Sequence, residues 1–125
     1  MIQLFLFTAA ILGGTSVASG AFATHALREQ LTERSLEIFE TGARYQMYHA
    51  LALLAVALLL SRAESAQSLL TVAGFAFMAG VLIFCGSLYA LSLSGIKILG
   101  AVAPMGGAAF LIGWGCLAVA ALRYK

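Results

Sequence analysis

Four long apolar runs organise the chain. They cover residues 2–23, 45–60, 69–93 and 98–122. Each approaches the ~20 residues that a helix needs to cross a bilayer, and the second is the shortest. None shows the strict alternation of a barrel strand. The spans are therefore expected to be helices, which satisfy their own backbone hydrogen bonds inside hydrocarbon. The connections after residues 60 and 93 are short, so the second, third and fourth spans should run antiparallel to their neighbours. The predicted fold is all-α: one polytopic domain over residues 1–125, built as a four-helix membrane bundle.

The longest polar stretch, residues 24–44, separates the first two runs. Its charges alternate in sign through Arg28, Glu29, Glu33, Arg34, Glu37, Glu40 and Arg44. Leu27, Leu31, Ile38 and Phe39 recur at helical spacing, and Thr32 is placed to cap a helix N-terminus. This pattern predicts a short amphipathic helix at the interface between the first and second spans. Along it, a Glu40–Arg44 pair would be favourable and Glu33–Glu37 repulsive. The first run ends in Ala21-Phe22-Ala23, which resembles a signal-peptidase site. It lacks a basic leader and is longer than a signal sequence, so a retained helix is expected. Gly14 with Ala18, and Ser16 with Gly20, give it small residues at packing distance.

Composition confirms the class. Only 10% of residues are charged and mean hydropathy is +1.01, against about 25% charged in soluble domains. The net charge of +2 and the scattered Lys and Arg residues exclude a nucleic-acid surface. Asp is absent, and no nucleophile elbow, HExxH, CxxC, Walker or dinucleotide motif occurs, so no catalytic residue is assigned. No Asp or Glu interrupts a spanning core, which disfavours a proton-coupled transporter. Cys85 and Cys116 fall at different depths of adjacent spans, roughly 15 Å apart, and should not pair. The charge distribution leans weakly toward both termini being cytoplasmic, because Arg123 and Lys125 are unopposed by acidic residues.

The candidate chemistry gathers at one end of the bundle. An even number of crossings puts His25, Glu40, Arg44, Tyr45, Gln46, Tyr48, His49, Tyr89 and Lys97 on one membrane face. Three readings of this cluster stay open. It is a structural network that joins the polar loop to the bundle mouth. It binds a quinone or lipid, with Arg44 and Tyr48 as donors. Or it holds a metal or haem between His25 and His49, placed at similar depth, although two histidines without Cys or Asp are a weak metal signature. In the fourth run, Pro104 with Gly106 and Gly107 predicts a kink, because Pro removes a bond to the Gly100 carbonyl. Trp114 lies deep in that run and needs a partner for its indole N–H, a freed carbonyl or a hydroxyl.

Four stretches carry a family resemblance: GAFATHAL at residues 20–27, FETGARYQMYHALALL at 39–54, GSLYAL at 86–91 and LGAVAPMGGAAFLIGW at 99–114. On these the chain resembles the YgdD-like family of small inner-membrane proteins, a domain of unknown function with transmembrane relatives in eukaryotes. Ala23 stands where that family often has glycine. The resemblance implies a four-helix protein of the bacterial inner membrane, and its motif residues fall on His25, Arg44, Tyr45, Gln46, Tyr48, His49, Tyr89 and Pro104. It brings no substrate or cofactor. The expected role is therefore a structural or accessory membrane component rather than an enzyme, in contact with the lipid bilayer and with a membrane protein partner or a second copy of itself.

Overall fold

The computed structural model describes residues 1–125. Helix α1 (Ile2–Phe22) continues through a single π-helical turn, Ala23–Leu27. After a short turn, α2 runs from Glu33 to Arg62. The third span is α3 (Gln67–Gly80) and α4 (Gly86–Ser94), joined by a second π-helical turn, Val81–Cys85. Helix α5 (Ile98–Arg123) completes the chain and runs unbroken through Pro104. The four resulting helices are each long and apolar enough to cross a membrane. The protein is a multi-pass, all-α membrane protein.

One expected element does not form separately. The amphipathic segment is the first part of α2 itself, so α2 begins twelve residues before the apolar run at Tyr45. Thr32 does cap it, accepting a hydrogen bond from the Ser35 backbone N–H at 3.1 Å. No proline interrupts residues 33–62, and the inward face keeps its phase through Phe39, Ala43, Gln46, Ala50, Leu53 and Val56. A helix once nucleated costs little to extend, so the polar and apolar parts fuse. Phe39 packs with Ala23 and Leu27 in a small cluster under the α1–α2 turn. The Glu40–Arg44 pair is not formed. The single ion pair joins Arg34 to Glu37 at 3.5 Å, both well exposed.

Lipid tails are as apolar as leucine, so close packing rather than water exclusion holds such helices together. Here aromatic rings seat against glycines. A β-carbon on Gly80 would fall 2.3 Å from the Phe110 ring, one on Gly113 2.5 Å from Phe77, and one on Gly74 2.3 Å from Phe5. Gly106 is tighter in kind, since its β-carbon would meet the Phe84 backbone nitrogen at 2.3 Å. The close approach is therefore helix to helix, at the π-turn of the third span. The small residues of α1 behave differently from expectation. A β-carbon on Gly14 or Gly20 would meet nothing within 4 Å, and only Ser16 of that set is buried.

The far end of the bundle is pinned by the C-terminus. Ser65 Oγ donates to the Arg123 carbonyl, Glu64 N–H to the Lys125 carbonyl, and the Tyr124 hydroxyl to the Leu59 carbonyl. Ala66 makes the turn into α3 with φ of 62°, the one non-glycine residue in the left-handed region.

Gly106→Ala should destabilise the bundle by about 1–3 kcal/mol, the usual cost of overpacking. Gly115→Ala, on the same helix with open space around it, should leave stability unchanged. Thermal melts of both variants in one mild detergent make the comparison; equal melting temperatures would contradict the packing described.

Candidate functional site: the interior polar network

A hydrocarbon core about 30 Å thick takes about 20 helical residues. With Arg62 and Arg123 at one boundary, the opposite boundary falls near Gly42 in α2 and near Ala103 in α5. His49 then lies roughly 10 Å inside that boundary, and Trp114 close to the midplane. Gln46 is about one turn inside it. Arg44 sits at the boundary, and His25, in the π-turn after α1, lies beyond it.

Gln46 is 5% exposed and joins three helices. Its amide nitrogen donates to the Leu12 carbonyl at 2.8 Å and to Thr15 Oγ1 at 2.7 Å, both on α1. Its amide oxygen accepts from the Tyr89 hydroxyl of α4 at 2.7 Å. Thr15 Oγ1 in turn donates to the Ile11 carbonyl at 2.8 Å. One turn toward the polar end, Ser16 Oγ donates to the Ala43 carbonyl at 2.7 Å. The Tyr89 ring closes over Gly42, and packs against Phe39 with centroids 4.9 Å apart.

His49, 4% exposed, forms the second node. Trp114 Nε1–H donates to His49 Nε2 at 3.1 Å. That nitrogen must therefore be an acceptor, which puts the proton of the neutral ring on Nδ1. Nδ1 lies 2.7 Å from the Tyr45 carbonyl and donates to it. Both ring nitrogens are thus used by one self-consistent tautomer. The imidazole also stacks flat on Phe110, with centroids 3.5 Å apart and planes at 9°. Trp114 finds its partner in an imidazole, not in a carbonyl or hydroxyl as its depth in the sequence suggested.

The sequence-derived cluster divides on this geometry. Gln46, His49 and Tyr89 belong to the interior network. Arg44, Tyr45 and Tyr48 lie on the exposed face of α2, where Tyr48 meets the Tyr45 ring edge-on at 5.5 Å. Arg44 donates to Thr41 Oγ1 at 3.1 Å. His25 is exposed and makes no side-chain hydrogen bond. His25 and His49 do not share a depth. Since Ser16 meets Ala43 and Leu12 meets Gln46 across the antiparallel pair, the two imidazoles are separated along the bundle by roughly 20–25 Å. They cannot bracket a metal or haem. The physical reason is that the second helix starts at Glu33 rather than at Tyr45, which carries His49 well below the level of the α1–α2 turn. No three His, Cys, Asp or Glu side chains are placed to hold a metal ion, and both cysteines are free. Gly106 serves the contact with Phe84, whereas Gly107 and the exposed Pro104 border a lipid-facing groove beside Tyr45 and Trp114.

Sequence reasoning missed Thr15 and Ser16 as polar partners. Their spacing from each other is that of neighbours on one turn, and only the pairing of α1 with α2 shows which groups they meet. No buried side-chain nitrogen or oxygen in the protein lacks a hydrogen-bond partner.

The chain is similar in sequence to known membrane proteins along nearly its whole length. The family described as "Protein of unknown function (DUF423)" matches residues 19–107. The UPF0382 membrane protein YwdK of Bacillus subtilis is 42% identical over 123 residues, covering 98% of this chain and 99% of its own. A UPF0382 membrane protein of Haemophilus influenzae is 39% identical over 125 residues, covering 100% and 98%. One from Staphylococcus epidermidis is 37% identical over 125 residues, covering 98% of each. No solved structure matches the chain significantly.

Trp114→Phe keeps the ring but removes the donor, leaving His49 Nε2 buried and unpaired. It should cost about 1–3 kcal/mol, whereas Tyr48→Phe, on the exposed face, should cost almost nothing. Chemical or thermal denaturation in detergent distinguishes them. Trp114→Phe with the stability of the parent would refute the assigned tautomer and bond.

Proposed function

The chain belongs to the DUF423 family of membrane proteins, and within it we propose a structural or accessory role, in which a closed polar network fastens four spans into a platform for a second membrane protein or a second copy of itself. The observation that carries this reading is the closure of the network. Gln46 uses its amide nitrogen twice and its oxygen once, and His49 uses both ring nitrogens. Neither side chain has a donor left to hold a quinone, nor a lone pair to ligate a haem iron. In hydrocarbon an unsatisfied polar group costs several kcal/mol, so groups paired this fully act on the fold itself.

The kinship with the YgdD-like proteins, with their eukaryotic transmembrane relatives, belongs to the same proposal. It rests on the run RYQMYHALALL at residues 44–54 and on APMGG at 103–107. The first of these supplies both network nodes, and the second supplies Gly106, whose bare backbone admits the third span.

Affinity purification in a mild detergent, followed by native mass spectrometry, tests the role. A reproducible membrane protein partner or homo-oligomer is expected, together with a melting temperature several degrees lower for Gln46→Leu. A protein that always runs alone, and whose stability is indifferent to Gln46→Leu, would overturn the reading.

A further inference from the structure

One pair of charges stays outside the network. Arg44 is exposed at the membrane boundary, its guanidinium bonded only to Thr41. Glu40 lies one turn nearer the polar end of α2, partly buried, with neither a hydrogen bond nor a salt bridge. The two do not pair with each other, although residues four apart on a helix are about 5–6 Å apart at their β-carbons. A charge at this level of a bilayer is held at a cost unless it finds a counter-charge or reaches the headgroups. The bond from Arg44 to Thr41 directs the guanidinium outward, toward the headgroups.

Both side chains line a groove of about 330 Å³ between α1 and α2. Its deeper wall is Ser16, Ala43 and Met47, small or apolar groups that leave a channel on the lipid side, with Gly20 at the level of Glu40. Above it lies a crevice of about 760 Å³ under the α1–α2 turn, and the two cavities share Thr24 and Glu40. The upper crevice is lined almost entirely by polar side chains. The combined groove thus changes from polar to apolar along the membrane normal, as an amphiphile does. Each of the two cavities taken alone lies in the range of small-molecule sites. Its charge is balanced: Arg28, Arg34 and Arg44 face Glu33, Glu37 and Glu40. That balance suits a zwitterion better than an anion.

We propose that this groove binds a phospholipid whose headgroup carries both a phosphate and a primary ammonium. The phosphate meets the Arg44 guanidinium, the ammonium donates to the Glu40 carboxylate, and one acyl chain lies along Ser16, Ala43 and Met47. Arg44 then has its counter-charge at the membrane boundary, and Glu40 has a donor. A choline headgroup has no N–H to donate to Glu40. A glycerol headgroup brings a net negative charge and no cation.

The test uses the full chain in mild detergent, with native mass spectrometry after equimolar addition of palmitoyl-oleoyl phosphatidylethanolamine, phosphatidylcholine and phosphatidylglycerol. The ethanolamine lipid should be retained roughly tenfold over the choline lipid, the weight of one charge-assisted hydrogen bond. Glu40→Gln should bring those two to parity. Arg44→Gln should lower retention of all three, because it removes the contact to their common phosphate. Both positions are exposed or partly so, and circular dichroism should show both variants folded. Equal retention of the three lipids by the parent protein, the mark of annular lipid only, would overturn the proposal. So would preference for the glycerol lipid, or a Glu40→Gln variant that keeps the preference for ethanolamine.

Discussion

A single amide, that of Gln46, decides how three of the helices in this bundle meet. Inside hydrocarbon there is no water to complete a half-made hydrogen bond, so a buried glutamine either finds partners for both ends or destabilises the fold. Here its nitrogen reaches α1 and its oxygen receives the Tyr89 hydroxyl of α4. Rotation or sliding of α1 or α4 by one residue would break these bonds. His49 plays the corresponding part toward α5, through Trp114. The polar groups fix the register, and the glycines beneath the aromatic rings fix the distance. Neither suffices alone, because packing of smooth apolar helices in lipid admits several registers of similar energy.

The π-helical turn of the third span belongs to the same arrangement. Val81–Cys85 is flanked by Gly80 and Gly86, and Gly80 accepts the Phe110 ring. Phe84, within the turn, presents its backbone to Gly106. A π-turn inserts a residue into the helical repeat, which changes the phase of everything after it. The inward face of α3, led by Phe77, meets α5. The face of α4 that follows presents Tyr89 to Gln46 instead. One span can thus serve two different neighbours along its length.

Much of this was legible from the pattern of residues. The four spans, the helical class and the N-cap at Thr32 all follow from hydropathy, spacing and turn chemistry. The depth of the site was less legible. Hydropathy registers where apolar residues begin, and α2 begins earlier, because its amphipathic first turns continue the same inward stripe through Phe39 and Ala43. That displacement turned a cluster read as the mouth of the bundle into two levels, with Arg44 at the boundary and His49 below. The partners of each polar group were not legible at all. Thr15, Ser16 and Trp114 look like ordinary membrane-helix residues until the pairing of helices shows what they face, and no local rule marks the π-turns, of which only Val81–Cys85 has flanking glycines.

The sequence order of the network has a consequence for how the protein is made. Chains emerge from the ribosome N-terminus first, so α1 and α2 reach the membrane together and the amide nitrogen of Gln46 is satisfied within that first hairpin. Its oxygen must wait for Tyr89 in the third span, and His49 Nε2 must wait for Trp114 in the last. Each later helix thus arrives to an acceptor already standing in hydrocarbon without a donor. A chain truncated before Trp114 would leave the His49 imidazole roughly 10 Å inside the membrane boundary with no donor for its Nε2.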